Sequence, residues 1–146
     1  ADFVAANEWI SFLAADPDIA RRVHLHLALL PDQAPPHPTY DAVISNSLLH
    51  HLHQPAVAWN AMRDYARPDA PLFLVDLMRP ASRAEAEDLT RQYTAGEPDV
   101  LRRDFFNSLL AAFTVAEVRE QIAAAGLGHL QVEAISDRHL MAWGVR

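Results

Sequence analysis

The stretch that decides the fold spans residues 40–80 and reads YDAVISNSLLHHLHQPAVAWNAMRDYARPDAPLFLVDLMRP. Residues 40–46 form a continuous apolar run ended by polar residues, and residues 71–77 form a second apolar run. Such runs are typical of strands that are buried on both faces of a parallel sheet. Residues 47–67 carry apolar side chains at helical spacing, with a loop-like break before Pro55, where a new helical start is expected. We therefore predict two adjacent parallel strands joined by a helical crossover.

Three helical patterns follow this stretch. Residues 85–94 read as a solvated helix, and residues 99–113 read as a helix with an aromatic inner face. The next helix has the clearest ends: Thr114 with Glu117 three positions later is a capping-box sequence, and Gly126 stands where a left-handed C-cap belongs.

The residues before the stretch are less regular. Residues 3–15 have the spacing of a short amphipathic helix, and residues 16–22 predict a turn or a short helical segment. Residues 23–28 alternate between apolar and other side chains, which predicts a strand. The proline-rich residues 31–40 exclude a central strand or a helix interior and are therefore predicted to be a loop.

The order of these elements predicts an α/β fold in a single domain over residues 1–146. Residues 129–146 read as two strands joined at a short polar turn, so we expect an antiparallel pair at the C-terminus. The predicted architecture is a three-layer, doubly wound and mostly parallel sheet to which that pair is added. Ligands of such open sheets bind beyond the carboxyl ends of the strands. The working zone is therefore expected near Asn46, Ser47, Asp76 and Arg79.

The amino-acid composition of the chain excludes several classes of function. The 146 residues have a net charge of −7, no cysteine, and 12 basic residues that are all arginine. An acidic chain is poorly suited to nucleic acid or an anionic membrane as its main partner, and the absence of cysteine excludes thiolate metal sites and cysteine nucleophiles. No apolar run is long enough to span a bilayer, and the first residues do not resemble a secretory signal. We expect a cytoplasmic protein with a small-molecule substrate, and the sequence leaves its oligomeric state open.

Residues 40–80 resemble the second half of class I S-adenosylmethionine-dependent methyltransferases. Four features carry the resemblance: a strand that begins Tyr40-Asp41 and ends Ser45-Asn46, the sequence LHHL at residues 49–52, the turn RPDA at residues 67–70, and a strand ending in Val75-Asp76. The helices and the strand pair that follow are similar to an uncharacterised bacterial branch of that family. The turn departs from the family pattern, because Asp69 and Ala70 replace two glycines.

The resemblance implies a glycine-rich turn for the cofactor, which this sequence lacks. Its four glycines begin at Gly96, whereas the family places the turn near the start of the domain. Residues 1–15 look like the helix before the first strand of this branch, and the residues after them look like the approach to the third strand. We therefore predict that a segment carrying the glycine turn is missing from the sequence, with the join between Leu13 and Asp18.

The resemblance also implies residues for the cofactor, S-adenosylmethionine. Asn46 and Ser47 fall beside the methionine part of the cofactor, although both residue types also cap helices well. Leu29 falls where many relatives place an aspartate for the adenine amino group. The adenine ring of the cofactor would then be recognised by backbone groups and by apolar packing around Leu29 and Leu30.

Six side chains are candidates for catalysis or for binding the methyl acceptor. Asp76 corresponds to an acid that lines the acceptor side in relatives, and His51 is the candidate general base, with His50 as its neighbour and alternative. The other interpretation of Asp76 is an ion pair with Arg79. Arg79, Arg138 and His139 are candidates for substrate binding, since an arginine can bind an acidic group through two hydrogen bonds.

Three alternatives remain from the sequence. His50 and His53 would share a helix face, and His24 and His26 a strand face, yet a zinc site needs a third protein ligand that the sequence does not reveal, so we predict no metal. A nucleotide- or flavin-binding domain would also need a phosphate-binding loop. The second candidate for the whole protein is a catalytically inactive methyltransferase-like module that acts through protein contacts.

Overall fold

The computed structural model of the protein describes residues 17–146. The chain has two compact units, residues 1–36 and 37–146. The predicted helix over residues 3–15 lies outside the described residues. The predicted join between Leu13 and Asp18 also begins outside them. Both stay predictions.

The first unit has little regular structure in its described part. A single short helix, α1, spans Pro17–Ala20, as the sequence indicated for residues 16–22. Residues 23–28 form no strand, so that prediction is wrong. Alternating side chains form a strand only where a neighbouring strand supplies hydrogen bonds, and no strand of the described sheet pairs with these residues. A turn follows, in which Gln33 N–H donates to the Leu29 carbonyl at 2.9 Å.

The second unit contains a four-stranded sheet. Its strands are β1 (Val43–Asn46), β2 (Pro71–Leu77), β3 (Gln131–Ala134) and β4 (His139–Val145), in the spatial order β1-β2-β4-β3. β1 and β2 are parallel neighbours, and β3 and β4 are antiparallel neighbours, so both predicted pairings are confirmed. The prediction of a mostly parallel, doubly wound sheet is not confirmed. Within residues 17–146 the sheet is mixed, because β4 also runs antiparallel to β2.

Four longer helices accompany the sheet in the described residues: α2 (Ala56–Tyr65), α3 (Arg83–Tyr93), α4 (Asp99–Ala111) and α5 (Val115–Ala124). The crossover from β1 to β2 contains less helix than predicted. Its first turn is a separate 3₁₀ helix, Leu49–His51, and α2 begins only after Pro55, at the break that the sequence indicated. A proline lacks the N–H that a continuous helix would need at this position.

One face of the sheet is buried by α2 and α5. The residues of β2 alternate, so that Leu72 and Leu74 face this side and are at most 1 % exposed. They belong to one core with side chains of both helices and of β3 and β4: Trp59, Met62, Val118, Ile122, Val132, Leu140 and Ala142. The Trp59 indole N–H donates to the Gln121 side chain at 2.9 Å, which satisfies the one polar group of this buried ring.

The opposite face is open next to β1. Ile44 is 72 % exposed and its register partner Phe73 is 40 % exposed. Among the described strands, β1 is an edge strand that pairs only with β2. An apolar residue pair on an uncovered edge is unusual in a soluble domain, because such edges invite association.

Helix and turn signals in the sequence are reproduced at three positions. Thr114 and Glu117 form the predicted capping box, and Gly126 has a φ of 76°, as a left-handed C-cap requires. In the turn after α2, Asp69 has a φ of 62°. The turn therefore keeps a backbone conformation that favours glycine even though aspartate replaces it, and aspartate tolerates this region better than most residues do.

Candidate functional site

The candidate residues of the second unit converge on one edge of the sheet. Asn46 is in register with Val75, so the carboxyl ends of β1 and β2 lie side by side. Because β4 runs antiparallel to β2, its first residue His139 pairs with Leu77 at that same edge. The Met78 N–H donates to the Arg138 carbonyl at 2.8 Å, which holds the β3–β4 turn beside the end of β2. The candidate residues therefore lie together at the edge where the crevice rule expects a ligand.

Asp76 is the buried centre of this edge. Its residue is 1 % exposed, and it lies on the same face of β2 as Leu72 and Leu74. One carboxylate oxygen accepts from the Leu49 N–H at 2.6 Å. The other lies 2.5 Å from His50 Nδ1 and accepts from the Leu77 N–H at 2.8 Å. The carboxylate therefore fixes the first turn after β1 against the end of β2.

Burial by itself would raise the pKa of the Asp76 carboxyl. The hydrogen bonds from His50 and from the Leu49 and Leu77 N–H groups outweigh that effect, so the pKa lies below its ordinary value. Asp76 is consequently ionised at neutral pH and acts as a hydrogen-bond acceptor. A carboxylate in this state orients a neighbouring imidazole, as in other histidine–carboxylate pairs.

His50 and His51 have different environments although they are adjacent. The His50 side chain is 5 % exposed and is paired with Asp76, whereas His51 is exposed. The two rings are in tilted contact, with centroids 3.9 Å apart and planes inclined by 41°. Asp76 is therefore hydrogen-bonded to His50 and not to His51, the candidate base. With Nδ1 hydrogen-bonded to the carboxylate, Nε2 is the ring nitrogen of His50 left to accept a proton.

Asn46 is the last residue of β1 and Ser47 follows it, and both are exposed. Ser47 has a φ of 52°, in the left-handed region, and its N–H donates to the Val75 carbonyl at 2.9 Å. A left-handed backbone at a residue other than glycine costs on the order of 1 kcal/mol, and such strain is concentrated at functional positions. The turn thus leaves both side chains at the open edge, where a ligand of the sheet would lie.

Arg79 does not pair with Asp76, so the ion-pair interpretation of these two residues is wrong. Its guanidinium binds the Glu117 carboxylate and donates to the Ala112 carbonyl at 3.2 Å. Glu117 also accepts from the Thr114 N–H at 2.8 Å as part of the capping box. That hydrogen bond and the Arg79 ion pair lower the pKa of Glu117. Arg79 thereby links the segment after β2 to the start of α5.

Arg138 and His139 lie in a polar cluster at the β3–β4 turn. The Arg138 guanidinium donates to Asp137 at 2.9 Å and lies 3.3 Å above the centre of the Tyr93 ring. The Tyr93 hydroxyl donates to Asp137 at 2.6 Å, which ties the end of α3 to this turn. Burial, and secondly the charge of Arg138, lower the pKa of His139 and favour its neutral imidazole.

The remaining candidate residues are divided between the two units. Leu29 and Leu30 belong to the first unit, whereas all the residues above belong to the second. The histidines of the metal alternative are also divided: His24 and His26 lie in the first unit, and His53 lies after the 3₁₀ helix that carries His50. Within residues 17–146, no three histidine, aspartate or glutamate side chains are arranged to hold a metal ion. No helix in this part of the chain is long and apolar enough to cross a membrane.

The sequence did not single out the pairing of His50 with Asp76. One signal for it was present, because the alternation of β2 places Asp76 on the face of Leu72 and Leu74, which the crossover covers. A carboxylate on that face meets whichever histidine turns inward. The contacts of Tyr93 with Asp137 and of Glu117 with Arg79 were missed because the partners are distant in sequence.

Comparisons with known proteins add little to this geometry. No protein-family model matches the sequence, and no curated protein matches it. Among solved structures, the chain is similar to a proposed O-methyltransferase from Nostoc punctiforme, with 16 % sequence identity and a TM-score of 0.46. The match covers 73 % of this chain and 32 % of the Nostoc protein, so the chain spans about a third of that protein's length.

Proposed function

We propose that the protein is an S-adenosylmethionine-dependent methyltransferase that acts on a small-molecule acceptor. The observation that carries the proposal is the His50–Asp76 pair, which lies next to Asn46 and Ser47 at the carboxyl ends of two parallel strands. This is the edge at which open α/β sheets bind their ligands. The sequence resemblance of residues 40–80 to class I methyltransferases supports the same conclusion.

The chemistry of the site is general-base catalysis by His50. Asp76 holds Nδ1 of the imidazole at 2.5 Å, so that Nε2 carries the lone pair that removes a proton from the acceptor atom. The imidazolium that forms is stabilised by the ionised Asp76 carboxylate. The His51 ring contacts the His50 ring, with the two planes tilted by 41°.

The residues of the second unit fit one end of the cofactor. Asn46 and Ser47 offer an amide and a hydroxyl at the open edge, suited to the polar amino-acid end of S-adenosylmethionine. When bound, this cofactor supplies a methyl group on a sulfonium, which needs no further activation. No glycine precedes Gly96, so the chain does not provide a glycine-rich turn for the other end.

We propose that a further segment of the gene product provides that turn. The exposed Ile44 and Phe73 beside β1, an edge strand of the sheet in residues 17–146, support the proposal, because a strand and a helix added there would cover them. Intact mass spectrometry of the gene product tests it: a mass well above the 16.3 kDa of this chain is expected. A mass equal to that value would contradict the missing segment.

Cofactor binding is the first test of function. Titration calorimetry of the whole gene product with S-adenosylhomocysteine should detect binding. Asn46→Trp should weaken it by about tenfold or more, since one charge-assisted hydrogen bond is lost and the edge is blocked. His53→Gln is the control and should bind as the unmodified protein does. Equal losses in both variants, or a loss only after chelation of metal, would contradict the site.

Turnover measurements distinguish the general base from the residues that bind the cofactor. With a panel of phenol, catechol and amine acceptors, His50→Gln should lower kcat by about a hundredfold or more while S-adenosylhomocysteine still binds. His51→Gln should keep most of the activity, because His51 has no carboxylate partner in the site. A larger loss in His51→Gln than in His50→Gln would overturn the assignment of the base.

The inactive interaction module is the second candidate, and the absence of a glycine-rich turn from the sequence favours it. It predicts no binding of S-adenosylmethionine or S-adenosylhomocysteine by the whole gene product. Calorimetry therefore distinguishes the two candidates before any acceptor is known.

A further inference from the structure

A cleft lies between α3 and α4, formed by none of the candidate site residues described above. It has a volume of about 870 Å³, and four arginines line it: Arg83, Arg91, Arg102 and Arg103. Its acidic lining residues are Glu87 and Asp99. Each of the four arginines has one carboxylate partner: Glu87, Asp88, Asp99 and Asp104 respectively.

The cleft also has an aromatic wall. The Phe106 ring lines it, and the Arg83 guanidinium lies 4.8 Å from the centre of that ring. Two threonines in the lining turn their hydroxyls to helix carbonyls: Thr90 donates to Ala86 and Thr94 donates to Thr90. Their hydroxyl donors are thereby used within the helix. The arginines remain as the main donors that a ligand would meet.

The ion pairs of all four arginines are exposed, including those of Arg91 with Asp88 and of Arg103 with Asp104. Arg83 contacts Glu87 at 3.3 Å, with the two side chains 70 % and 50 % exposed. Arg102 contacts Asp99 at 2.8 Å, and Asp99 is 94 % exposed. Exposed pairs of this kind contribute little to stability, so an incoming anion can replace the carboxylate at small cost. A guanidinium binds carboxylate, sulfonate and phosphate groups through two parallel hydrogen bonds.

We propose that this cleft is a binding site for a small aromatic anion. The acidic group of the ligand is bound by Arg83 and the neighbouring arginines, and its ring packs along Phe106. Guanidinium groups over aromatic rings also favour stacked planar ligands. The proposal does not depend on methyl transfer.

The test uses naphthalenesulfonate as the probe and titration calorimetry of the full chain. Naphthalenesulfonate should bind, whereas the neutral naphthalenemethanol and inorganic sulfate should each bind more weakly. Arg83→Gln should raise the Kd about fivefold, because one charge-assisted hydrogen bond is lost at a solvated site. Glu87→Gln should lower the Kd, because it removes the carboxylate that competes for Arg83.

Arg67→Gln is the matched control. It removes the same charge and also breaks an exposed ion pair, that of Arg67 with Asp41, at a different part of the unit. Its Kd should equal that of the unmodified chain. The proposal is overturned if naphthalenemethanol binds as tightly as the sulfonate, if Arg67→Gln weakens binding as much as Arg83→Gln, or if Glu87→Gln weakens binding. Circular dichroism of each variant should show an unchanged fold, since all three positions are solvent-exposed.

Discussion

Asp76 and Asp137 occupy the same edge of the sheet and have similar partners in opposite environments. Each carboxylate is hydrogen-bonded to a ring side chain, His50 for Asp76 and Tyr93 for Asp137. The Asp76 residue is 1 % exposed, while the Asp137 side chain is 41 % exposed. Water can replace the partners of Asp137, whereas the partners of Asp76 are buried. The same chemical group is therefore structural at one position and replaceable at the other.

The largest difference between the two carboxylates is expected in their contributions to the free energy of unfolding. Asp76→Ala leaves the Leu49 and Leu77 N–H groups and the His50 ring without their buried acceptor, so we expect a loss of about 3 kcal/mol or more. Asp137→Ala exposes its partners to water, and little change is expected. Urea unfolding followed by circular dichroism measures both. Similar losses in the two variants would mean that burial does not separate these carboxylates.

Acid unfolding should show the same contrast. The folded-state pKa of Asp76 is lowered, so its contribution to stability is complete above the ordinary aspartate pKa and is lost as the pH falls through the folded-state value. Removing the charge with Asp76→Asn should therefore flatten the acid limb of the stability profile below about pH 4. The pKa of Asp137 is lowered too, and the hydrogen bond from Tyr93 is the main cause. Asp137→Asn should change the acid limb less, and an equal flattening would contradict the comparison.

Glu117 is intermediate between these two carboxylates. Its side chain is 38 % exposed, and it accepts from Thr114 and binds Arg79. Glu117→Ala removes half of the capping box and should cost about 1 kcal/mol in urea unfolding. Glu117→Gln is the matched variant, because its side-chain oxygen can still accept from the Thr114 N–H. If Glu117→Gln is as unstable as Glu117→Ala, the Arg79 ion pair and not the cap is the main interaction.

The parts of the fold that follow from local sequence were predicted well. The apolar runs at residues 40–46 and 71–77 fixed two strands and their parallel pairing, and Thr114 with Glu117 fixed the start of α5. The strand predicted at residues 23–28 failed because alternation alone supplies no hydrogen-bonding neighbour. The mixed sheet was predicted only in part. The pairing of β3 with β4 was expected, but nothing local to β4 indicates that it also pairs with β2.

The positions of the candidate residues in the fold were predictable, but their detailed contacts were not. The rule for strand ends placed Asn46, Ser47 and Asp76 correctly at one edge. Which of two adjacent histidines meets Asp76 depends on the 3₁₀ turn at residues 49–51, whose geometry differs from that of the α-helix expected there. A rotation of one residue exchanges the buried His50 and the exposed His51. Sequence spacing cannot resolve a difference of that size.

The smallest expected effect concerns Tyr93, the partner of Asp137. The hydrogen bond to Asp137 raises the pKa of the Tyr93 phenol, with burial as the second cause. A raised phenol pKa in the folded state contributes stability that is complete below the ordinary tyrosine pKa and is lost as the pH rises through the folded-state value. Asp137→Ala should return the Tyr93 titration, followed by ultraviolet absorbance against a Tyr93→Phe reference, toward its ordinary value of about 10. Added salt should leave most of the shift in the unmodified protein, because salt screens the charge of Asp137 but does not break the 2.6 Å hydrogen bond. A shift that disappears in salt would show that this contact is mainly coulombic, and the parallel between Asp137 and the hydrogen-bonded Asp76 would then fail.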